Sequence, residues 1–322
     1  MGIRLLSRPS RAVLALLALL APASLGAVAV AAPAVAAPAS WTVLVGSQTS
    51  SMSIQGQRFL TGDITIDAGD SVTWQANGAE IHTVTFFAGG TPQSTVPPLD
   101  PTSPAQIMRQ GPSTMDGTSY FNSGLMTTLP TFSPLPVPVY TSYTLSFPTA
   151  GTFTYYCLVH GAMMKGIVHV QPAGAAYPST QADYNATATW LSNAITADGL
   201  ALWAKARAAS GPHRVITGAD DGVAMVMRFI HGKVTIHRGQ KVHFLNSIGD
   251  APHTVTFGQV PAGPALFAPS GDRRNYRGGN LNSGLMAPGS RFDVTFNKVG
   301  TFPYVCGLHR DMNMKGVIVV KP

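Results

Sequence analysis

The sequence predicts an all-β chain, two Greek-key β-sandwiches joined by a partly helical linker. Three observations carry that prediction. Gly and Pro supply 33 and 25 of the 322 residues, which favours turns and short strands over long helices. Apolar and polar residues alternate over short stretches, the period of a half-buried strand. The chain also repeats itself. DITIDAGDSVTWQANGAEIHTVTF (63–86) returns as GKVTIHRGQKVHFLNSIGDAPHTVTF (232–257). YFNSGLM (120–126) returns as NLNSGLM (280–286), and AGTFTYYCLVHGAMMKGIVHV (150–170) as VGTFPYVCGLHRDMNMKGVIVV (299–320). The order is the same in both halves, so each half is one folding unit.

In chain order, Arg4, Arg8 and Arg11 precede an apolar run from Ala12 to Ala21 that Pro22 ends, and a stretch of small residues follows. This is the pattern of an export signal over 1–39, with cleavage between 27 and 39; an uncleaved anchor is the alternative. The first unit is expected over 41–173. Ile64, Ile66, Val72 and Trp74 alternate with polar residues around Ala68-Gly69-Asp70, and strands are expected over 83–87, 143–147, 153–156 and 167–170. The Pro-rich segment from Gly89 to Pro138 is too long for an ordinary loop and reads as a lid or an irregular cover. A linker over 174–212 follows, where Tyr184, Ala188, Leu191, Ile195 and Leu202 recur at helical spacing and Asp198-Gly199 is expected to break the run into two helices. The second unit, 213–322, repeats the first. Val234, Ile236, Val242 and Phe244 alternate around Arg238-Gly239, with strands expected over 254–257, 292–296, 302–305 and 317–320.

Charged residues make up only 11% of the chain and apolar ones 45%, which excludes a coiled coil or a charged disordered tail. No run of ~18 apolar residues occurs outside the N-terminus, so no stable membrane insertion is expected after signal cleavage. Residues 41–173 carry three basic and six acidic residues, net −3; residues 174–322 carry fifteen and eight, net +7. The basic residues are scattered, and nucleic acid is not expected as a partner. The charge split predicts that the two units meet different partners or face one partner in a fixed order; the alternative is that the opposite charges hold the two units together.

The two cysteines, Cys157 and Cys306, occupy equivalent positions in the repeats, which disfavours a disulfide between them. Each begins a Cys-x-x-His phrase, with His160 and His309, and each is followed by Met-Lys-Gly. Each unit offers a second imidazole in one shared phrase, His82 in EIHTVTF and His253 in APHTVTF. A thiolate, two imidazoles and a distant thioether form the trigonal set that holds blue copper: the sulfur ligands suit Cu(I), and imidazole suits both oxidation states.

On these residues both units resemble cupredoxins of the plastocyanin, pseudoazurin and amicyanin kind, over about 41–173 and 213–322. The resemblance implies two type 1 coppers per chain, held by His82, Cys157, His160 and Met164 in the first unit and by His253, Cys306, His309 and Met314 in the second. Met163 has the amicyanin spacing and competes with Met164; Met312 competes with Met314. Asn77 and Asn246 match the family's asparagine before the first histidine, which implies hydrogen bonds that fix the ligand loop. Asn246-Ser-Ile-Gly-Asp250-Ala-Pro252-His253 matches the family pattern closely, whereas the first unit has Ile81 where Pro is usual. The resemblance further implies His160 and His309 as surface electron ports, beside Leu158, Val159, Ala162 and Leu308. Asn-Ser-Gly-Leu-Met is expected to be a loop packing near each ligand loop.

His169, His213, His231, His237 and His243 form no His-x-His pair, and Tyr156 and Val305 stand beside the cysteines, where copper oxidases and nitrite reductases place a histidine. The expectation is an exported protein, periplasmic, extracellular or associated with the cell surface, that transfers single electrons between redox proteins by transient docking and is not an enzyme. A copper carrier or store is the alternative.

Overall fold

The computed structural model describes residues 37–89, 96–131 and 137–322. The expected export signal lies almost wholly outside them. The first repeat contributes β1 (Ser40–Gln48), β2 (Ile54–Leu60), β3 (Asp63–Asp67), β4 (Ser71–Ala76), β5 (Thr85–Phe86), a short helix α1 (Pro104–Ile107), β6 (Arg109–Gln110), β7 (Phe121–Ser123), β8 (Ser142–Ser146), β9 (Gly151–Cys157) and β10 (Gly161–Gln171). A long helix follows, α2 (Gln181–Ala209). The second repeat contributes β11 (Arg214–Asp220), β12 (Ala224–Ile230), β13 (Lys233–His237), β14 (Lys241–Leu245), β15 (Thr256–Phe257), β16 (Pro269–Ser270), β17 (Leu281–Ser283), β18 (Arg291–Thr295), β19 (Gly300–Val305) and β20 (Lys315–Lys321). The chain is thus mostly β, with two sandwiches and a helix between them in sequence.

Each repeat folds a four-stranded layer against a six-stranded one. The six-stranded sheets run β3-β10-β9-β5-β7-β6 and β13-β20-β19-β15-β17-β16, the same order twice. Alternating side chains fill the space between layers: Trp41, Val43, Val72, Trp74, Ile64, Ile66, Tyr155 and Val168 in the first core, and Val215, Val242, Phe244, Val234, Ile236, Tyr304 and Ile318 in the second. Both cysteines and both Met164 and Met314 belong to these cores.

The two four-stranded layers are one sheet. Its order is β18-β14-β11-β12-β2-β1-β4-β8, so the repeats are joined edge to edge at β12 and β2. The joining ladder is antiparallel and short, pairing Ala224 with Gly56, Met225 with Gln55 and Val226 with Ile54. Beyond it Gln57 N donates to Val223 O at 2.9 Å, and Met227 N to Ser53 O at 2.8 Å. The Arg58 guanidinium reaches Gly222 O at 2.6 Å; that of Arg228 reaches Met312 O at 2.7 Å and Ser51 O at 2.5 Å. Each repeat therefore grips the other's hairpin with an equivalent arginine. Ala79 of the first repeat packs in one cluster with Met225, Met227, Ala251 and Met312 of the second.

The strands expected from the sequence do not include β1, β2, β11 or β12. β2 is buried on both faces at nearly every position, and β12 likewise. A strand covered on both sides loses the alternation that marks a half-exposed one. The outer cover is α2, whose Ala188 and Ile195 pack on Ile54 and Leu60, and whose Leu202 and Ala206 pack on Ile216, Val226 and Ile230.

α2 is one continuous helix of 29 residues, not two. It starts at a capping box in which Thr180 and Asp183 satisfy each other's backbone N–H. Gly199 does not break it. A Cβ there would overlap Ile54, so the glycine lets the helix lie close on the seam; a Cβ on Gly56 would overlap Ser47 Oγ and come within 3.0 Å of Ile195. A mid-helix glycine costs about 1 kcal/mol against alanine, which close packing offsets here.

The described part of segment 89–138 is a packed cover. Ile107 and Leu125 form an apolar cluster with Ile81, flanked by Leu99, Val137, Val139 and Val159. Ile81 and Val159 are the chain neighbours of His82 and His160.

Candidate metal centres

His82 follows the turn after β4, Cys157 closes β9, and His160 lies in the short turn before β10. The second repeat places His253, Cys306 and His309 alike. Among the described residues these two triads are the groups of ligand-bearing side chains that converge, with all donor atoms of each within 4.8 Å of one another. Cys157 Sγ lies 3.9 Å from His82 Nδ1 and 3.4 Å from His160 Nδ1. Cys306 Sγ lies 3.9 Å from His253 Nδ1 and 3.4 Å from His309 Nδ1, and the two Nδ1 atoms are 3.2 Å apart. Bonds of ~2.0–2.3 Å at open angles place donors ~3.3–3.9 Å apart, so one metal ion fits each triad. Both cysteines are free thiols, which excludes the disulfide alternative.

The neighbours of the triads explain why they are held. The residue after the first histidine is a threonine in each repeat. Thr83 N and Thr254 N both donate to the cysteine Sγ at 3.4 Å. Their hydroxyls accept from the ligand loop, Thr83 Oγ1 from Leu158 N at 2.8 Å and Thr254 Oγ1 from Gly307 N at 2.7 Å. The repeated Asn-Ser-Gly-Leu-Met phrase is partly strand, as β7 and β17, and it clasps the first histidine rather than the cysteine loop. His82 and Met126 exchange backbone hydrogen bonds of 2.9 and 2.8 Å, and His253 and Met286 bonds of 3.3 and 2.7 Å. Ser123 and Ser283 Oγ accept from Val84 N and Val255 N.

On the far side of each first histidine stands a glycine in a β-bulge. Gly46 in β1 and Gly218 in β11 have φ of 75° and 76°, a region that suits glycine. A Cβ on Gly46 would come within 2.6 Å of His82 Nε2, and one on Gly218 would overlap the His253 ring. These glycines and threonines escaped the sequence reading, although the matched Val-Gly-Ser and Thr-Gly-Ala phrases and the shared His-Thr-Val-Thr-Phe carried a signal. Asn246 Nδ2 donates to Ala251 O and Met286 O, both at 2.9 Å, bracing the approach to His253. Asn77 Nδ2 donates to Gly46 O at 3.1 Å, bracing the bulge.

Burial dominates the electrostatics. It pushes the Cys157 thiol up to about 11 and raises that of Cys306. It holds His82 and His253 well below the ordinary imidazole value, brings His160 down to about 3 with help from Arg58, and His309 to about 4. The four imidazoles are thus neutral at pH 7 and offer lone pairs to a metal.

Met164 and Met314 are fully buried, as is Met312 at 1% exposure, whereas Met163 is 65% exposed. The two second histidines differ. His160 keeps part of its surface, beside exposed Ala162 and Met163. His309, expected as a surface port, is only 6% exposed. Against it stands Glu80 of the first repeat, whose Oε2 lies 3.9 Å from His309 Nε2 with both side chains 7% exposed. The distance is beyond a hydrogen bond. Burial pushes Glu80 up to about 7 and His309 down, so the two meet nearer their neutral forms than as an ion pair. Leu158, also expected at the port, is buried. Of the other histidines, His237 bonds Pro322 O and His243 bonds Asp293, as strand residues do, and His231 occupies a turn with φ of 64°.

The model of a family described as copper binding proteins, plastocyanin/azurin family, matches residues 213–321. Plastocyanin A'/A'' of Nicotiana tabacum is 31% identical over 108 residues, 33% of this chain and 97% of that protein. Plastocyanin of Solanum crispum is 32% identical over 111 residues, again 33% of this chain and 97% of its own length. Among solved structures, oxidised plastocyanin from Dryopteris crassirhizoma is 26% identical, covers 34% of this chain and 99% of that one, and superposes with a TM-score of 0.24.

Proposed function

The chain belongs to the plastocyanin/azurin family of copper-binding proteins, and from that premise we propose that it is an exported electron carrier with two type 1 copper sites. The observation that carries this reading is the doubled triad, one thiol and two inward Nδ1 atoms at matching separations in both repeats. When bound, copper supplies a one-electron Cu(II)/Cu(I) couple. The residues supply the rest. The threonine N–H groups steady each cysteine sulfur, the threonine hydroxyls fix the loop between cysteine and second histidine, and the bulge glycines set the depth of the first histidine. A frame held on all sides changes little when the oxidation state changes, which suits fast transfer.

Met164 and Met314 would complete the two sets with a thioether each; their complete burial in the same cores as Cys157 and Cys306 supports them, and the exposure of Met163 speaks against it. His160, with Val159, Ala162 and Met163 around it, is where redox proteins dock transiently. Export follows from the arginine-led apolar N-terminus; no helix among the described residues is long and apolar enough to cross a membrane. The cysteine neighbours Tyr156 and Val305 offer no imidazole to a second kind of copper centre, which favours a carrier over an oxidase or nitrite reductase.

The test is copper counted per chain together with the visible spectrum. Two coppers and an intense blue band are expected. Cys157→Ser and Cys306→Ser should each remove one copper and part of the colour, and the double variant should be colourless. Loss of all colour from either single variant would refute two independent sets of ligands.

A further inference from the structure

The seam between the repeats brings their metal-binding ends together. The joining ladder involves only the first three residues of β2 and β12, the ends next to the hairpins beside the sites. The strands that carry Gly46 and Gly218, against which His82 and His253 rest, flank that ladder. They are three strand spacings apart, ~14 Å. Glu80 crosses the remaining gap to His309. Its place is fixed from the seam, because the buried Gln55 of β2 accepts the N–H groups of both Ala79 and Glu80 at 3.1 Å. The carboxyl Oε2 is buried with no hydrogen-bond partner. A buried polar atom left unpaired is costly, so its place against His309 is set by the packing around it and not by a hydrogen bond of its own. The second repeat has Ala251 at the equivalent position, and His160 keeps part of its surface.

We infer that the two centres work in series. Glu80 closes the second site to outside partners and links it to the first through His309, Glu80, Ile81 and His82, with His160 as the external port. The link consists of one carboxyl contact and two residues of chain, whose Cα atoms span at most ~7 Å. The transfer balances by itself: one electron leaves the reduced centre, which is oxidised, and reduces the other, with no proton or co-reactant. Glu80 acts here as a positioning residue. This inference rests on the two-copper reading above, and the copper count separates the two. A chain with fewer than two coppers refutes that reading and the inference with it; two coppers leave the inference to the kinetics.

The experiment follows reduction by hexaammineruthenium(II). With only the second site filled, in Cys157→Ser, reduction should be slower by about tenfold or more than with only the first filled, in Cys306→Ser, a barrier difference of about 1.4 kcal/mol. Adding Glu80→Ala to Cys157→Ser should recover most of that factor. In the two-copper chain the second site should fill in a phase independent of reductant concentration, and Glu80→Ala should make that phase concentration-dependent, whereas the isosteric Glu80→Gln should keep it. In the metal-free chain, carbethoxylation of His309 by diethyl pyrocarbonate should be slow, and faster in Glu80→Ala. Equal reduction rates for the two single-site variants, or a second-site phase that scales with reductant in the unaltered chain, would overturn the series arrangement.

Discussion

Gly46→Ala should abolish copper binding at the first site while leaving the fold and the second site intact. Gly46 lies in the β1 bulge with φ of 75°, where an alanine stores about 1–3 kcal/mol of backbone strain. The larger effect is steric. The new Cβ would stand 2.6 Å from His82 Nε2, whereas ordinary contact begins near 3.4 Å, so the ring must retreat by the difference, 0.8 Å. Ligand distances in a metal site hold within about 0.2 Å, so a displacement about four times that leaves His82 out of register with Cys157 and His160. The control is Gly222→Ala. That glycine has φ of 82° with nothing within 4 Å of the added carbon, so it carries the strain without the clash. Copper per chain by atomic emission, with circular dichroism of the metal-free protein as the fold check, measures the outcome. One copper is expected for Gly46→Ala and two for Gly222→Ala. A Gly46→Ala protein that keeps two coppers and an unchanged spectrum would refute the idea that the bulge sets the depth of the histidine.

Thr83→Val keeps shape but leaves the buried Leu158 N–H without its 2.8 Å acceptor; the metal-free protein should lose about 1–3 kcal/mol in urea unfolding, and the blue band of the first site alone should shift. Met164→Leu should keep copper and change the potential of the first site, whereas Met163→Leu should leave it unaltered, as voltammetry of the Cys306→Ser background would show. Asp70 sets an acid limit on stability. Burial alone would raise its pKa, but hydrogen bonds from Asp67 N, Trp41 Nε1, Ala39 N and Tyr177 OH outweigh this and hold it below 3.8. A folded value below the unfolded one means stability that is complete above pH ~4 and lost as pH falls through the folded value. Asp70→Asn should therefore be less stable than the parent at pH 7, and the gap should narrow below pH 4 in urea titrations of the metal-free protein.

The sequence by itself determined the fold class and the two candidate His/Cys/His triads. A doubled phrase order with period-2 alternation favours two β-sandwiches, and Cys-x-x-His with a distant histidine is a spacing that can close around a metal ion. His82, Cys157 and His160, and their counterparts His253, Cys306 and His309, were legible because chemistry restricts which side chains hold such a metal. The seam was not. β2 and β12 are buried on both faces, so they carry no alternation, and nothing local distinguishes a strand that pairs within its own repeat from one that pairs with the other. Gly199 read as a helix break because its cause, the Ile54 side chain, lies 145 positions away in the chain. The burial of His309 was equally hidden. Cysteine spacing makes His160 and His309 look equivalent, and only the tertiary structure sets Glu80 against one of them, because that contact depends on how two repeats share a sheet and not on any residue near His309 in the chain.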